Sequence, residues 1–157
     1  MRPFPTSGCV AAALFLLAAP VAASAQTHVP TAADSAAIKA TALDYIEGWY
    51  TGNAERMERA LHPELAKRIV YQPSQAGQRS RLDSQSAMTL VRSTRAGGGT
   101  RTPADKQQKD VTILDIYENA ASVKIVAGAW IDYLHVARSD GRWQIVNVLW
   151  ELKPQAP

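Results

Sequence analysis

Sulfur chemistry is nearly absent from this 157-residue chain, whose one cysteine is Cys9. No disulfide framework can be built from it. Histidine is scarce as well. His28, His62 and His135 lie far apart and form no H-x-x-x-H pair, so no metal motif is present and no metal is expected. Nucleotide signatures are missing: there is neither G-x-x-x-x-G-K-[ST] nor G-x-G-x-x-G. The run Gly97-Gly98-Gly99 lacks the Lys-Ser/Thr and the strand-to-helix context of a phosphate cradle, and reads as a flexible loop. Without a G-x-S-x-G elbow, an α/β-hydrolase triad has no support. Charge of one sign is also lacking. A formal +3 is too mild to argue for nucleic-acid or membrane partners, and nothing implies a cofactor.

Long apolar runs are confined to the N-terminus. Arg2 supplies a positive n-region, and Val10–Ala19 is an apolar run of h-region length, too short to span a bilayer comfortably. Pro20 breaks it, and Ala23-Ser24-Ala25 offers an A-x-A cleavage site. The expected signal peptide is 1–25, cut after Ala25; the alternative is an uncleaved anchor. Cys9 precedes the apolar run, which is the wrong side for lipidation, and it would leave with the signal. The remainder fits one domain whose core needs no disulfide. An exported protein, periplasmic or secreted, is the expectation, with no membrane contact in its mature form.

Residues 26–33 read as a disordered leader, 34–153 as the domain and 154–157 as a tail. Thr31-Ala32-Ala33-Asp34 resembles a capping box. A helix follows to about Thr51, with Ile38, Ala42, Tyr45, Ile46, Trp49 and Tyr50 at the 3.6-residue period and Gly52 as its stop. Asn53 can cap a short helix, Ala54–Leu61. His62-Pro63 should break it, with a further turn over Glu64–Lys67. Short strands are expected at Arg68–Gln72 and Arg79–Asp83. Ser84 or Ser86 then caps a helix to about Arg95, with Met88, Val91 and Leu90 inward. The segment Ala96–Gln108 is polar and glycine-rich and reads as a mobile loop.

The C-terminal third reads as a three-stranded antiparallel meander, Asp110–Tyr117, Ala121–Arg138 and Arg142–Lys153. Glu118-Asn119 and Asp140-Gly141 are its turns, the latter suited to type I′. The middle run is about three times the usual strand length, so Ala127-Gly128-Ala129 should mark a bulge or sharp bend. Helices followed by a long curved sheet imply an α+β cone with a pocket inside.

Aromatic residues with polar tips suit such a pocket. Tyr45 and Trp49 share a helix face, while Trp130, Tyr133, Trp143 and Trp150 lie on the sheet; aromatics at helical spacing are more often core residues. His62 is the candidate for acid/base work, or else a helix-end residue bonded to a free carbonyl. Asp132 is a mid-strand carboxylate, either buried or facing water. Alternation puts it on the face opposite Tyr133. Asn147 is a buried-polar candidate, and Lys124 reads as solvated.

These segments resemble the nuclear transport factor 2-like (NTF2-like) superfamily. More narrowly, they resemble the group called putative lumazine-binding proteins. The resemblance rests on Tyr45-x-x-Gly48-Trp49-Tyr50-x-Gly52 and Leu61-His62-Pro63-Glu64-Leu65-x-Lys67-Arg68. It rests also on Val111-x-Ile113-Leu114-Asp115-Ile116, Asp132-Tyr133-Leu134 and Gly141-Arg142-Trp143-x-Ile145-Val146-Asn147. It spans Asp34 to Leu152. It implies a curved antiparallel sheet wrapped around the first helix, and commonly a homodimer through the open sheet face. The superfamily holds isomerases, dehydratases, epoxide hydrolases, cyclases and binding modules, so fold does not fix reaction. Ketosteroid isomerase-like members carry a carboxylate base on the first strand after the helices. Here residues 65–82 contain no Asp or Glu, and that strand carries Tyr71.

Three readings follow. The first is a binding domain for a small hydrophobic or aromatic ligand, held by Tyr45, Trp49, Tyr71 and Tyr133 and oriented by His62 or Asn147. The second is a lyase, isomerase or cyclase using a His62–Asp132 pair. The third is a homodimeric interaction module.

Overall fold

A computed structural model describes residues 29–73 and 77–154. The expected signal segment and its cleavage site lie outside these residues. Among the described residues, no helix is long and apolar enough to cross a membrane.

Helix α1, Ala32–Thr51, begins where the sequence places its capping box. Thr31 Oγ1 accepts from the Asp34 N–H, and Asp34 accepts in return from the Thr31 N–H at 2.9 Å. The helix therefore starts within the segment read as leader. Gly52 stops it in the left-handed conformation, φ 68°. Asn53 caps α2, Ala54–Ala60.

Six strands form one curved sheet, ordered β2-β1-β6-β5-β4-β3. They are β1 Leu61–Tyr71, β2 Arg81–Ser86, β3 Lys109–Tyr117, β4 Ala120–Ala127, β5 Trp130–Ser139 and β6 Arg142–Leu152. All neighbours are antiparallel except β1 with β6. The sheet wraps α1, giving the α+β cone. Ile38, Ala42 and Ile46 of the helix share a core with Val123, Ile125, Leu134, Val136, Ile145 and Val148 of the sheet.

Three expectations are corrected. First, the long middle run of the meander is two strands, β4 and β5, which pair with each other. Gly128 and Ala129 form the connection rather than a bend. The Gly128 N–H donates to the Tyr50 hydroxyl at 3.1 Å, and a Cβ on Gly128 would lie 2.6 Å from the Lys106 carbonyl oxygen. Each strand then has an ordinary length. Second, His62-Pro63 opens no turn over Glu64–Lys67; these residues belong to β1. The parallel register with β6 skips from Leu61↔Ile145 to Ala66↔Asn147. Pro63 falls within that irregularity, where its missing N–H costs no ladder bond. Third, Met88 is 71% exposed rather than inward. Ser86 is the cap of α3, Ala87–Arg95, and from that start Ala87, Leu90 and Thr94 share the buried face.

The glycine-rich segment is a succession of hydrogen-bonded turns. Gly97 and Gly98 N–H groups donate to the Thr94 and Ser93 carbonyls, and Thr100 and Thr102 close further turns on Gly97 and Gly99. The Tyr50 hydroxyl donates to the Gln108 carbonyl at 3.0 Å. Gly98 and Gly99 lie directly on Trp49. A Cβ at Gly98 would overlap the indole ring, and one at Gly99 would stand 2.5 Å from its Cδ1. This is a close approach that no side chain permits.

Gly98→Ala is therefore expected to destabilise the fold by about 1–3 kcal/mol through forced displacement of Trp49. Urea unfolding followed by tryptophan fluorescence measures this. An unchanged midpoint and emission maximum would show that the turn yields without moving the indole.

Candidate functional site

The strand register builds the site. Lys67 alternates with Leu65 and Ile69 on the inner face of β1, and its partner on β6 is Val148. Two residues further along β6, on the same face, is Trp150, which pairs with Asp132 on β5. Trp130 precedes Asp132 by two and shares its face. Tyr45 reaches this row from α1, with Trp49 one helical turn beyond.

These side chains form a buried polar cluster. Lys67 Nζ donates to Asp132 Oδ1 at 2.7 Å and to the Tyr45 hydroxyl at 2.6 Å. Tyr45 donates to Asp132 Oδ2 at 3.3 Å, and the Trp130 indole N–H donates to the same oxygen at 2.7 Å. The ammonium lies 4.8 Å from the centroid of the Trp150 ring and 5.3 Å from that of Tyr45, inside the cation–π range. Asp132 is fully buried and Lys67 is 6% exposed. Burial pulls the Lys67 ammonium below its usual value, and Asp132 opposes this only in part. Burial also pushes the Tyr45 hydroxyl well above its ordinary range, and the Asp132 charge adds to that. Tyr45 thus stays protonated.

The cluster forms one wall of a cavity of about 250 Å³ between α1, the sheet and α3. Tyr45, Trp49, Lys67, Leu90, Trp130 and Trp150 line it, with other apolar side chains. Its surface is apolar except where Lys67, Gln85 and the tips of the aromatics meet it. Asp132 stands behind this wall, touching Lys67, Tyr45 and Trp130.

Of the residues singled out from sequence, Tyr45 and Trp49 line the cavity and Asp132 backs it. The others lie elsewhere. His62 sits in a separate groove with Arg59, Met88 and Arg142, and its Nδ1 accepts from the Glu64 N–H at 3.1 Å. The structure does not bring His62 and Asp132 together, since both Asp132 oxygens are taken by Lys67, Tyr45 and Trp130. Tyr133 faces outward, as alternation requires, with Lys124 Nζ 5.9 Å from its ring centroid. Asn147 is on the same outer face, bonded to Arg68 and His135. Tyr71 lies under the Arg81 guanidinium, outside the cavity lining. Among the described residues, no group of three or more His, Cys, Asp and Glu is placed to hold a metal.

Lys67 is the residue that sequence reasoning missed. Its signal is the alternation Leu65-x-Lys67-x-Ile69, visible once β1 is read as one strand from Leu61.

Residues 33–151 match the family model described as "Putative lumazine-binding". No curated protein matches the chain. Among solved structures, an NTF2-like protein of unknown function from Methylobacillus flagellatus KT is similar, with TM-score 0.60 and 20% identity, over 82% of this chain and 100% of that one. A second, from Shewanella baltica OS155, has TM-score 0.60 and 16% identity over the same shares. A third, from Silicibacter pomeroyi DSS-3, has TM-score 0.57 and 18% identity, over 80% of this chain and 100% of that one. At these identities the likeness bears on the fold.

Breaking the ion pair from one side should be costly. Lys67→Met or Asp132→Asn alone is expected to lose roughly 3–5 kcal/mol, because one charged group or its partners stay buried and uncompensated. The double variant should lose less than the sum of the two. A double-mutant cycle by urea denaturation checks this, and strict additivity would show the two groups to be energetically independent.

Proposed function

Because this chain belongs to the family described as "Putative lumazine-binding", we propose that it is an exported domain that binds one small, flat, largely apolar molecule in the cavity between α1 and the sheet. The observation that carries this reading is a single lysine ammonium set into an aromatic-walled cavity, with its charge balanced from behind by Asp132. An ammonium has three donors. Two go to Asp132 and Tyr45, which leaves one N–H over the Trp150 ring for an acceptor on the ligand. Tyr45, Trp49, Trp130 and Trp150 supply faces for stacking.

The volume limits the occupant. About 250 Å³ is just under the ~300 Å³ at which ordinary ligand pockets begin, so one or two fused rings fit better than an extended chain. A lumazine is a bicyclic ring system of that size, with carbonyl oxygens able to accept from Lys67. Export rests on the Val10–Ala19 run and the Ala23-Ser24-Ala25 site. The mature N-terminus would be Gln26, in the periplasm or outside the cell.

Self-association has its own support. Arg68, Leu149, Tyr133 and Lys124 form a continuous cross-strand row over β1, β6, β5 and β4 on the outer face. Leu149 is 50% exposed and Tyr133 45%. A second copy covering this face would leave the cavity free on the opposite side of the sheet.

Two measurements test these readings. Three of the four tryptophans line the cavity, so titration with lumazine should quench fluorescence saturably. Trp49→Ala should weaken binding, and the paired Lys67→Met/Asp132→Asn variant should do so by about tenfold or more. Absence of saturable quenching by lumazine and by an apolar bicycle such as 2-naphthalenemethanol would remove the binding reading. For the outer face, sedimentation of the mature chain should show a dimer that Leu149→Arg converts to monomer, and a monomeric wild type would dismiss it.

A further inference from the structure

We propose that Lys67 captures small aromatic aldehydes and ketones covalently, as a protonated imine formed inside the cavity. The inference rests on the binding reading above and narrows its ligand to a carbonyl compound. Three observations carry it. Lys67 is the buried lysine of the described residues, while Lys39, Lys106 and Lys109 are exposed and Lys124 and Lys153 partly so. Its Nζ is at the cavity wall, buried beside the Trp150 and Tyr45 rings, where desolvation favours the neutral, nucleophilic amine. A carboxylate that can take its proton is 2.7 Å away, on the side remote from the cavity.

The chemistry closes without any further reagent. Asp132 accepts one ammonium proton, and the freed nitrogen lone pair forms a C–N bond to the carbonyl carbon. A second nitrogen proton passes to the carbonyl oxygen, giving a neutral carbinolamine beside a protonated Asp132. That carboxyl returns its proton to the hydroxyl group through the Tyr45 hydroxyl, which touches Asp132 and lines the cavity; the C–O bond breaks, water leaves, and the nitrogen lone pair completes C=N. The product is an iminium with one hydrogen on nitrogen, facing an ionised Asp132. The three ammonium protons are then accounted for as one on nitrogen and two in the water. Tyr45, held protonated, can hydrogen-bond the carbonyl or hydroxyl oxygen along the way.

Charge decides among lysine chemistries. Acylation or carbamylation of Lys67 would abolish its charge and leave Asp132 ionised and unpaired at full burial, which is strongly unfavourable. A protonated imine keeps a cation at the same nitrogen, so the buried pair survives the reaction. The aromatic wall and the small volume select ring-bearing carbonyl compounds over sugars, whose hydroxyl groups would go unpaired there.

Reductive trapping tests the proposal. The mature chain, from Gln26 onward, is incubated with equimolar 2-naphthaldehyde and sodium cyanoborohydride, then examined by intact mass and peptide mapping. One secondary-amine adduct on Lys67, formed faster than at any other lysine, is expected. Lys67→Arg, which retains a cation for Asp132, should lose it, and Asp132→Asn should slow it. Adducts spread over the exposed lysines with Lys67 unmodified would overturn the proposal. The alcohol 2-naphthalenemethanol separates the two readings. If it quenches saturably while the aldehyde leaves Lys67 unmodified, the cavity binds ligands but forms no imine. If neither interacts, both readings fall.

Discussion

The interaction on which this structure most depends is the buried contact between the Lys67 ammonium and the Asp132 carboxylate. It joins β1 to β5 across the intervening β6, and through the Tyr45 hydroxyl it ties both strands to α1. Two charges withdrawn from water are expensive unless each lone pair and proton finds a partner. Here most of the partners are supplied: Asp132 accepts from Lys67, Tyr45 and Trp130, and two of the three ammonium protons go to Asp132 and Tyr45 beside aromatic rings. The cavity owes its single strong polar feature to this arrangement. Burial gives the lysine its altered proton affinity, and Asp132 holds it in one place.

Another part of the lining is built by a different device. Trp49 is held from outside by Gly98 and Gly99, whose lack of side chains lets the backbone rest on the indole. Part of the lining is thus set by electrostatics and part by steric fit. Tyr50, next to Trp49 in sequence, fastens the Gly128 turn and the Gln108 carbonyl with one hydroxyl. Consecutive aromatics at the end of α1 therefore serve opposite ends of the same architecture, one facing the cavity and the other the sheet's connections.

Much of the fold is legible in the chain, because its signals are local. The Thr31–Asp34 box, the 3.6-residue stripe from Ile38 to Tyr50 and the Gly52 stop define α1 before any tertiary contact is known. Tyr45 and Trp49 are legible for the same reason. The site as a whole is less so, because it is assembled by register. Pro63 looks like a helix-to-turn signal, and that reading hides the alternation that turns Lys67 inward. The continuous apolar pattern from Ala121 to Arg138 conceals a hairpin, since Gly128 marks a reversal and a bend equally well. His62 and Asn147 are chemically attractive in isolation, yet they lie on other surfaces. Which of two polar residues meets a cavity depends on pairings made over distances of 65 residues or more in the chain, such as Lys67 with Asp132.

The adjacency of Asp132 and Tyr133 has a consequence for how the sheet finds its alignment. Apolar residues on β4 and along Asp132–Val136 of β5 alternate so regularly that a strand displaced by one position exposes its core face to water. In β5 that displacement would also carry the carboxylate to the outside and present a phenol to the lysine. The misaligned sheet would then hold an ammonium in a dry interior with no anion to answer it. The ion pair thus works as a check on assembly, rejecting a neighbouring alignment that hydrophobicity alone would reject less sharply.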